Sequence, residues 1–165
     1  MEVFHNSFSG SIEPKKTHDN SKYLDLNRNC ACLSLRKAAR AATQLYDHLL
    51  ESSGVRATQF TLLVLLASVP SGKTLTEMAA SLVMDRTTLT RNLKPLEKMG
   101  LISVATPLDK RSRAFALTDK GWETLEIGYP LWEKAQNMLG DSLGSEQFDS
   151  VLADLKRVTD KIIDM

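Results

Sequence analysis

At 165 residues, 42% of them hydrophobic and with a formal net charge of +1, the chain can bury one real core and is too apolar to be a disordered polymer. No apolar run is long enough to cross a bilayer, and "MEVFHNSFSGSIEPKK" has no basic region leading into an apolar stretch; neither a membrane span nor a secretory signal is expected, and the chain reads as cytoplasmic. Two cysteines cannot build a disulfide framework of the secreted kind, which agrees with that compartment.

Residues 1–28 are polar, aperiodic and balanced in charge, which predicts a flexible N-terminal arm that orders against a partner. From Asn29 the pattern changes: Cys32, Leu35, Ala39, Ala42, Leu45 or Tyr46 and Leu49 recur at steps of three and four. This describes a long helix with one apolar stripe, stopped at "SSGV" by Gly54. "ATQFTLLVLLAS" is apolar nearly all round and predicts a central helix surrounded by others. In "TLTEMAASL", Thr74 and Glu77 form a capping box that starts a short helix. "VMD" makes a brief turn, and Asp85 caps the next helix, where its charge suits the positive end of the dipole. Two helices joined so tightly form a helix-turn-helix.

After Gly100 the period becomes two. "LISVATP" and "RAFALT", with Ile102, Val104, Phe115 and Leu117 alternating, predict a hairpin whose tip is "LDKRS". "LTDKG" opens another helix capped at Thr118 or Asp119, with an interruption expected near "GYP", where Gly128 and Pro130 should bend it. A last helix from about Ser145 carries Phe148, Val151 or Leu152, Leu155, Val158 and Ile162, close to a heptad stripe. The near-zero net charge hides an uneven distribution. Residues 85–120 hold eight Lys/Arg against four Asp/Glu, a local +4; residues 121–165 hold four against nine, a local −5. A basic module beside an acidic one points to a local anion-binding surface.

The helix after Asp85, "RTTLTRNLKPLEK", concentrates that basic character. Arg86, Thr87, Thr90, Arg91, Lys94, Glu97 and Lys98 share an arc of roughly 140°, with Leu89, Leu93 and Leu96 on the other side. One face docks on the core; the other offers guanidinium, ammonium and hydroxyl groups. Arginine bonds a guanine edge in bidentate fashion, threonine methyls fit the thymine methyl, and hydroxyls or lysine hold phosphates, so this face suits the major groove. A merely solvated helix face is the plain alternative. The order of elements favours the groove reading, because a basic helix after a tight turn, followed by a hairpin with a basic tip, is that of a winged helix-turn-helix. Pro95 removes the bond to the carbonyl of Arg91; a bend leaning the last turn toward the core and simple local adjustment both remain open. At the hairpin tip Asp109 stands beside Lys110, Arg111 and Arg113; it can brace one arginine while another reaches the narrow minor groove.

"LTEMAASLVMDRTTLTRNLKPLEKMGLI", the wing "DKRSRAFALTDKG" and a long first helix leading to "ATQFTLL" resemble, in that order from about residue 29 to 163, the MarR (multiple antibiotic resistance regulator) family of bacterial transcription factors. The resemblance implies a mainly α (α+β) fold: a winged helix-turn-helix over residues 55–118, with a helical dimerisation region formed by residues 29–54 and 119–165. It also implies a homodimer on palindromic double-stranded DNA, most often a repressor released by a small aromatic effector, by cysteine oxidation or occasionally by metal. Carried over, Arg86, Thr87, Thr88, Thr90 and Arg91 would touch bases and phosphates, with Thr76 and Lys94 added to the contact set and Asp109, Lys110, Arg111 and Arg113 forming the wing contact. The heptad stripes fit a dimer and would equally fit a monomeric bundle core.

Both cysteines fall in "NCACLSLRK". Asn29 as cap would put Cys30 and Cys32 in the first helical turn, a setting that favours reaction with oxidants; buried small hydrophobes are the alternative. A Cys-x-Cys pair lacks the further ligands a soft metal needs, His48 lies about four turns along the helix, and His5 and His18 sit in the arm, so no metal is expected. Tyr46, Phe60, Trp122 and Trp132 are candidate walls of an effector pocket, or simply core. The sequence contains no glycine-rich phosphate loop, no metal-binding His or Cys motif and no gathered Ser, His and Asp, so neither catalysis nor a cofactor is expected. The rival reading is a winged helix used as a protein-interaction module.

Overall fold

A computed structural model describes residues 19–69, 72–105 and 114–165. The chain divides after Ala38 into two compact units. In the first, α1 (Ser21–Asn29) precedes the start of α2 (Ala31–Leu50). The sequence places residues 21–28 in a flexible arm, yet they are helical. Ser21 donates its backbone N–H to Asp19 Oδ1 at 3.0 Å and Asn29 donates to Asp25 Oδ1 at 2.6 Å, local bonds that leave no apolar stripe to read. None of its residues is buried, which is why periodicity missed it.

The second unit holds the core. The later part of α2 passes into a 3₁₀ turn (Glu51–Ser53) that ends at Gly54, as expected. Next, α3 (Ala57–Ala67) begins where Asp47 Oδ1 accepts the Ala57 N–H at 2.7 Å, and it buries Phe60, Leu62, Leu63 and Leu66. Its centrality is confirmed with one exception: Val64 stays 48% exposed, so one strip of the helix faces away from the core.

The capping box forms as expected at the start of α4 (Leu75–Ser81). The Thr74 N–H donates to Glu77 Oε2 at 2.7 Å, and the Glu77 N–H donates to Thr74 Oγ1 at 3.2 Å. Asp85 caps α5 (Arg86–Lys98), accepting from the Thr88 N–H at 2.8 Å. Hydrogen bonds from the Thr74 and Thr88 hydroxyls first, then from their amides, hold the Glu77 and Asp85 carboxyls below their ordinary values. Both caps are therefore charged at neutral pH; what they contribute fades as pH falls through the lowered values.

Both helices of this pair end in the same way. At the end of α5 the Leu101 N–H reaches the Leu96 carbonyl and the Gly100 N–H the Glu97 carbonyl, each at 3.0 Å, with Gly100 at φ +71°. At the end of α4 the Met84 N–H reaches Ala79 at 2.9 Å and the Val83 N–H reaches Ala80 at 3.2 Å, with Val83 at φ +50°. These are Schellman motifs. One uses glycine; the other forces a β-branched residue into the left-handed region, at a cost of about 1–2 kcal/mol. Val83 is 61% exposed, so little packing offsets that cost. Val83→Gly is expected to raise stability by about 0.5–1 kcal/mol after the greater entropy of the unfolded glycine chain is deducted. Chemical denaturation checks this, and a loss of stability would mean that Val83 is not strained.

The two expected strands are β2 (Ile102–Ala105) and β3 (Ala114–Leu117), antiparallel, with Ile102 opposite Leu117 and Val104 opposite Phe115. A further strand not foreseen from sequence, β1 (Lys73–Thr74), pairs antiparallel with β3, giving the order β1-β3-β2. Ile102 and Phe115 enter the core, whereas Val104, farther out, is 40% exposed. After the strands come α6 (Asp119–Leu143), capped by Thr118, and α7 (Ser145–Ile163).

The expected interruption of α6 near "GYP" is not there: the helix runs through Gly128 and Pro130. Gly128 is a packing residue rather than a breaker, since a Cβ there would stand 2.4 Å from the Phe60 ring. α5 likewise continues past Pro95 to Lys98. Arg91 is exposed, so water can satisfy the carbonyl that Pro95 leaves without an intrahelical donor.

Candidate nucleic-acid interface

Leu89, Leu93 and Leu96 are buried at 2% exposure or less, and this fixes the rotation of α5. Arg86, Thr87, Thr90, Arg91, Lys94, Glu97 and Lys98 are all exposed, so the arc drawn from the sequence is the solvent face. Among the described residues the ion pair found, Arg157 with Asp154, lies on α7; within that set no carboxylate contact neutralises the cations of α5.

Two threonines are more committed than the sequence suggests. The Thr88 hydroxyl donates to Asp85 Oδ2 at 2.6 Å, and the Thr90 hydroxyl donates to the Arg86 carbonyl at 2.7 Å. They retain a methyl group and oxygen lone pairs toward a ligand. Thr87 is exposed on the first turn of α5, and Thr76 is exposed in the first turn of α4. Asp109, Lys110, Arg111 and Arg113 lie outside the described residues, as do His5 and His18.

The end of α5 is latched to the start of α6. Thr118 donates its N–H to the Leu101 carbonyl at 3.1 Å and its hydroxyl to the Gly100 carbonyl at 2.7 Å, and Lys120 Nζ reaches the Met99 carbonyl at 2.9 Å. Gly121 makes this approach possible, because a Cβ there would fall 2.1 Å from the Leu101 carbonyl oxygen.

All four aromatic candidates, Tyr46, Phe60, Trp122 and Trp132, line a cavity of about 730 Å³ within the second unit. The Tyr46 hydroxyl donates to Gln136 Oε1 at 2.5 Å, tying α2 to α6. Burial pushes the Tyr46 phenol above its ordinary value, so it stays uncharged at neutral pH. Sequence reasoning missed Glu126, Tyr129 and Gln136, which share this wall. The signal was present: residues 122, 126, 129, 132 and 136 fall within an arc of roughly 120° on one helix.

In the other unit, Cys30 rather than Asn29 caps α2. Its Sγ accepts the Leu33 N–H at 3.4 Å, because Asn29 is already the last residue of α1. Cys30 is half-buried and Cys32 exposed in the first turn, so neither is a fully buried small hydrophobe. Among the described residues no group of three His, Cys, Asp or Glu could hold a metal ion, and no helix is long and apolar enough to cross a membrane.

A short helix-turn-helix whose second helix is basic on its open face, followed by a β-hairpin, defines a winged helix-turn-helix protein of the kind that engages duplex DNA. The MarR family profile matches residues 53–112. The organic hydroperoxide resistance transcriptional regulator of Bacillus subtilis is 34% identical over 130 residues, covering 78% of this chain and 83% of that protein. Mycobacterium tuberculosis MosR, solved in complex with DNA, is 34% identical with a TM-score of 0.75, over 82% of this chain and 98% of that one. CouR, a transcriptional repressor solved on a 23-mer DNA duplex, is 25% identical with a TM-score of 0.73, over 87% and 99%. CouR has also been solved bound to p-coumaroyl-CoA, with a TM-score of 0.74 at 25% identity, over 81% and 94%. The chain belongs to the MarR family of transcriptional regulators.

Proposed function

We propose that the chain is a cytoplasmic, non-catalytic repressor that binds palindromic double-stranded DNA as a homodimer and lets go when a small effector enters the cavity or its cysteines are oxidised. The observation that carries this reading is the open arc of α5, with Arg86, Arg91 and Lys94 exposed and the leucines beneath them buried. Arg86 and Arg91 read base edges, aided by Thr87, Thr88 and Thr90. Lys94 and Thr76 hold phosphates, and Asp109, Lys110, Arg111 and Arg113 serve the wing.

Residues 55–118 form the DNA-binding domain. Residues 29–54 and 119–165 pair the subunits, and residues 1–28 form the arm. Leu152, Leu155, Val158 and Ile162 on α7, each 39–60% exposed, supply an apolar stripe for a second copy. A dimer places two probes about one helical turn apart, which multiplies weak single contacts. The latch between α5 and α6 gives a filled cavity a mechanical route to the probe, because one wall of the cavity, from Trp122 to Gln136, follows Thr118 on the same helix. The parallels are MosR and CouR on DNA, CouR with its CoA thioester, and a relative named for organic hydroperoxide resistance.

Selection of bound genomic fragments followed by salt titration tests the reading. A single preferred palindrome with steep loss of affinity in salt is expected; weak, salt-insensitive binding would instead make the chain a protein-interaction module. Peroxide treatment is expected to release the selected fragment, and Cys30→Ser or Cys32→Ser to block release. Oxidised wild type that binds unchanged would end the redox arm.

A further inference from the structure

The lining of the cavity carries a charge preference. Among the described residues that line it, Glu126 alone bears a formal charge; there is no lysine, arginine or histidine. Glu126, itself exposed, shares this lining with Tyr46, Phe60, Trp122, Tyr129 and Trp132, which include both tryptophans and two of the three tyrosines in the chain. The Tyr129 and Trp132 rings lie 5.8 Å apart between centroids and are tilted by 32°, so their faces are not stacked flat on each other.

Aromatic faces carry the negative lobes of the ring quadrupole and attract cations, most strongly where water is displaced. An anion entering the same space would shed hydration, find no cation among these residues to replace it and meet Glu126. Gln136 adds polarity without charge, and Tyr46 remains a neutral phenol. A volume of about 730 Å³ lies within the range of small-molecule sites, which is roughly 300–1,000 Å³.

We propose that this cavity takes a lipophilic aromatic cation, held by the five rings and paired with Glu126, in preference to a phenolic carboxylate or other anion. That such an ion would act as an effector rests on the regulator reading above; the binding preference itself follows from the lining. Trp122 is 42% and Tyr129 is 56% exposed, and Glu126 is exposed as well, so solvent screens part of the effect. The preference is therefore about tenfold rather than absolute.

Trp122 and Trp132 are the only tryptophans in the chain, so fluorescence of the full-length protein excited selectively at tryptophan, and not at Tyr23, reports on residues of the cavity lining. Tetraphenylphosphonium and tetraphenylborate, ions of the same shape and opposite charge, are titrated in sodium buffer. The cation is expected to bind about tenfold more tightly. Glu126→Gln should shrink that ratio at least threefold with an unchanged melting curve, and Glu126→Lys should shift it toward the anion. Equal or tighter binding of the anion, no binding of the cation, or a ratio untouched by Glu126→Gln overturns the proposal. The same preparations are assayed for selective duplex binding; its absence would sink the regulator reading while leaving the fluorescence ratio to decide the cavity.

Discussion

Arg86→Ala and Arg91→Ala are each expected to erase discrimination between the cognate operator and unrelated duplex. A bidentate arginine contact to a guanine edge is worth about 1–3 kcal/mol of discrimination, and a palindrome bound by a dimer loses it twice, so the combined effect reaches roughly 2–6 kcal/mol. Non-specific affinity should fall far less. Lys94 lies farther along the exposed arc, beyond the first turns proposed above to read base edges. Lys94→Ala is therefore expected to weaken every duplex by a similar factor and to lower the salt slope by about one per subunit. Titrations of operator and scrambled duplex at several salt concentrations separate the two behaviours. If all three substitutions cost operator and scrambled DNA alike, the division between base-reading and phosphate-holding residues is wrong.

Gly121→Ala should be among the most damaging substitutions of one small residue for another in this chain. The added methyl would sit 2.1 Å from the Leu101 carbonyl oxygen, a backbone atom that cannot swing aside as a side-chain tip could. Relief requires moving α6 off residues 99–101, between α5 and β2, which breaks the Thr118 bonds to Leu101 and Gly100 together with the Lys120 bond to Met99. Lost bonds and overpacking together predict destabilisation of about 3 kcal/mol or more. Gly140 on the same helix is the control, because a Cβ there would meet the Phe148 ring at an ordinary 3.8 Å. Gly140→Ala should be neutral or stabilising by up to about 1 kcal/mol through helix propensity. Urea unfolding of the two variants is expected to give shifts of opposite sign or clearly different size; a mild Gly121→Ala variant would show that the α5–α6 latch yields easily.

Where side chains dictate their own local geometry, the sequence was readable. Thr74 with Glu77, Asp85 and Thr118 each sit as a cap, and the leucine spacing of α5 orients its basic face correctly. What escaped has other causes. Strand β1 is two residues long and exists because β3 offers it an edge, which no periodicity can announce. Gly128 reads as a helix breaker until Phe60 is seen against it. The hydroxyls of Thr88 and Thr90 look available in a linear string, but in the fold they are bonded within α5 and its cap. Glu126 reads as one more acid in an acidic region, and its place in an aromatic wall depends on α2 and α3 facing α6 across the cavity.

Thr74 occupies two roles at once, pairing with Ala114 in the sheet and capping α4 through its hydroxyl. The strands and α4, the helix that leads into the probe, therefore share a joint, so the helix-turn-helix and its sheet are expected to meet a duplex as one stiff die. Whatever mismatch remains between that die and a given base sequence must be absorbed by bending or twisting the DNA. Selectivity is then expected to extend to steps that no side chain touches, with easily deformed pyrimidine–purine steps favoured between the two half-sites.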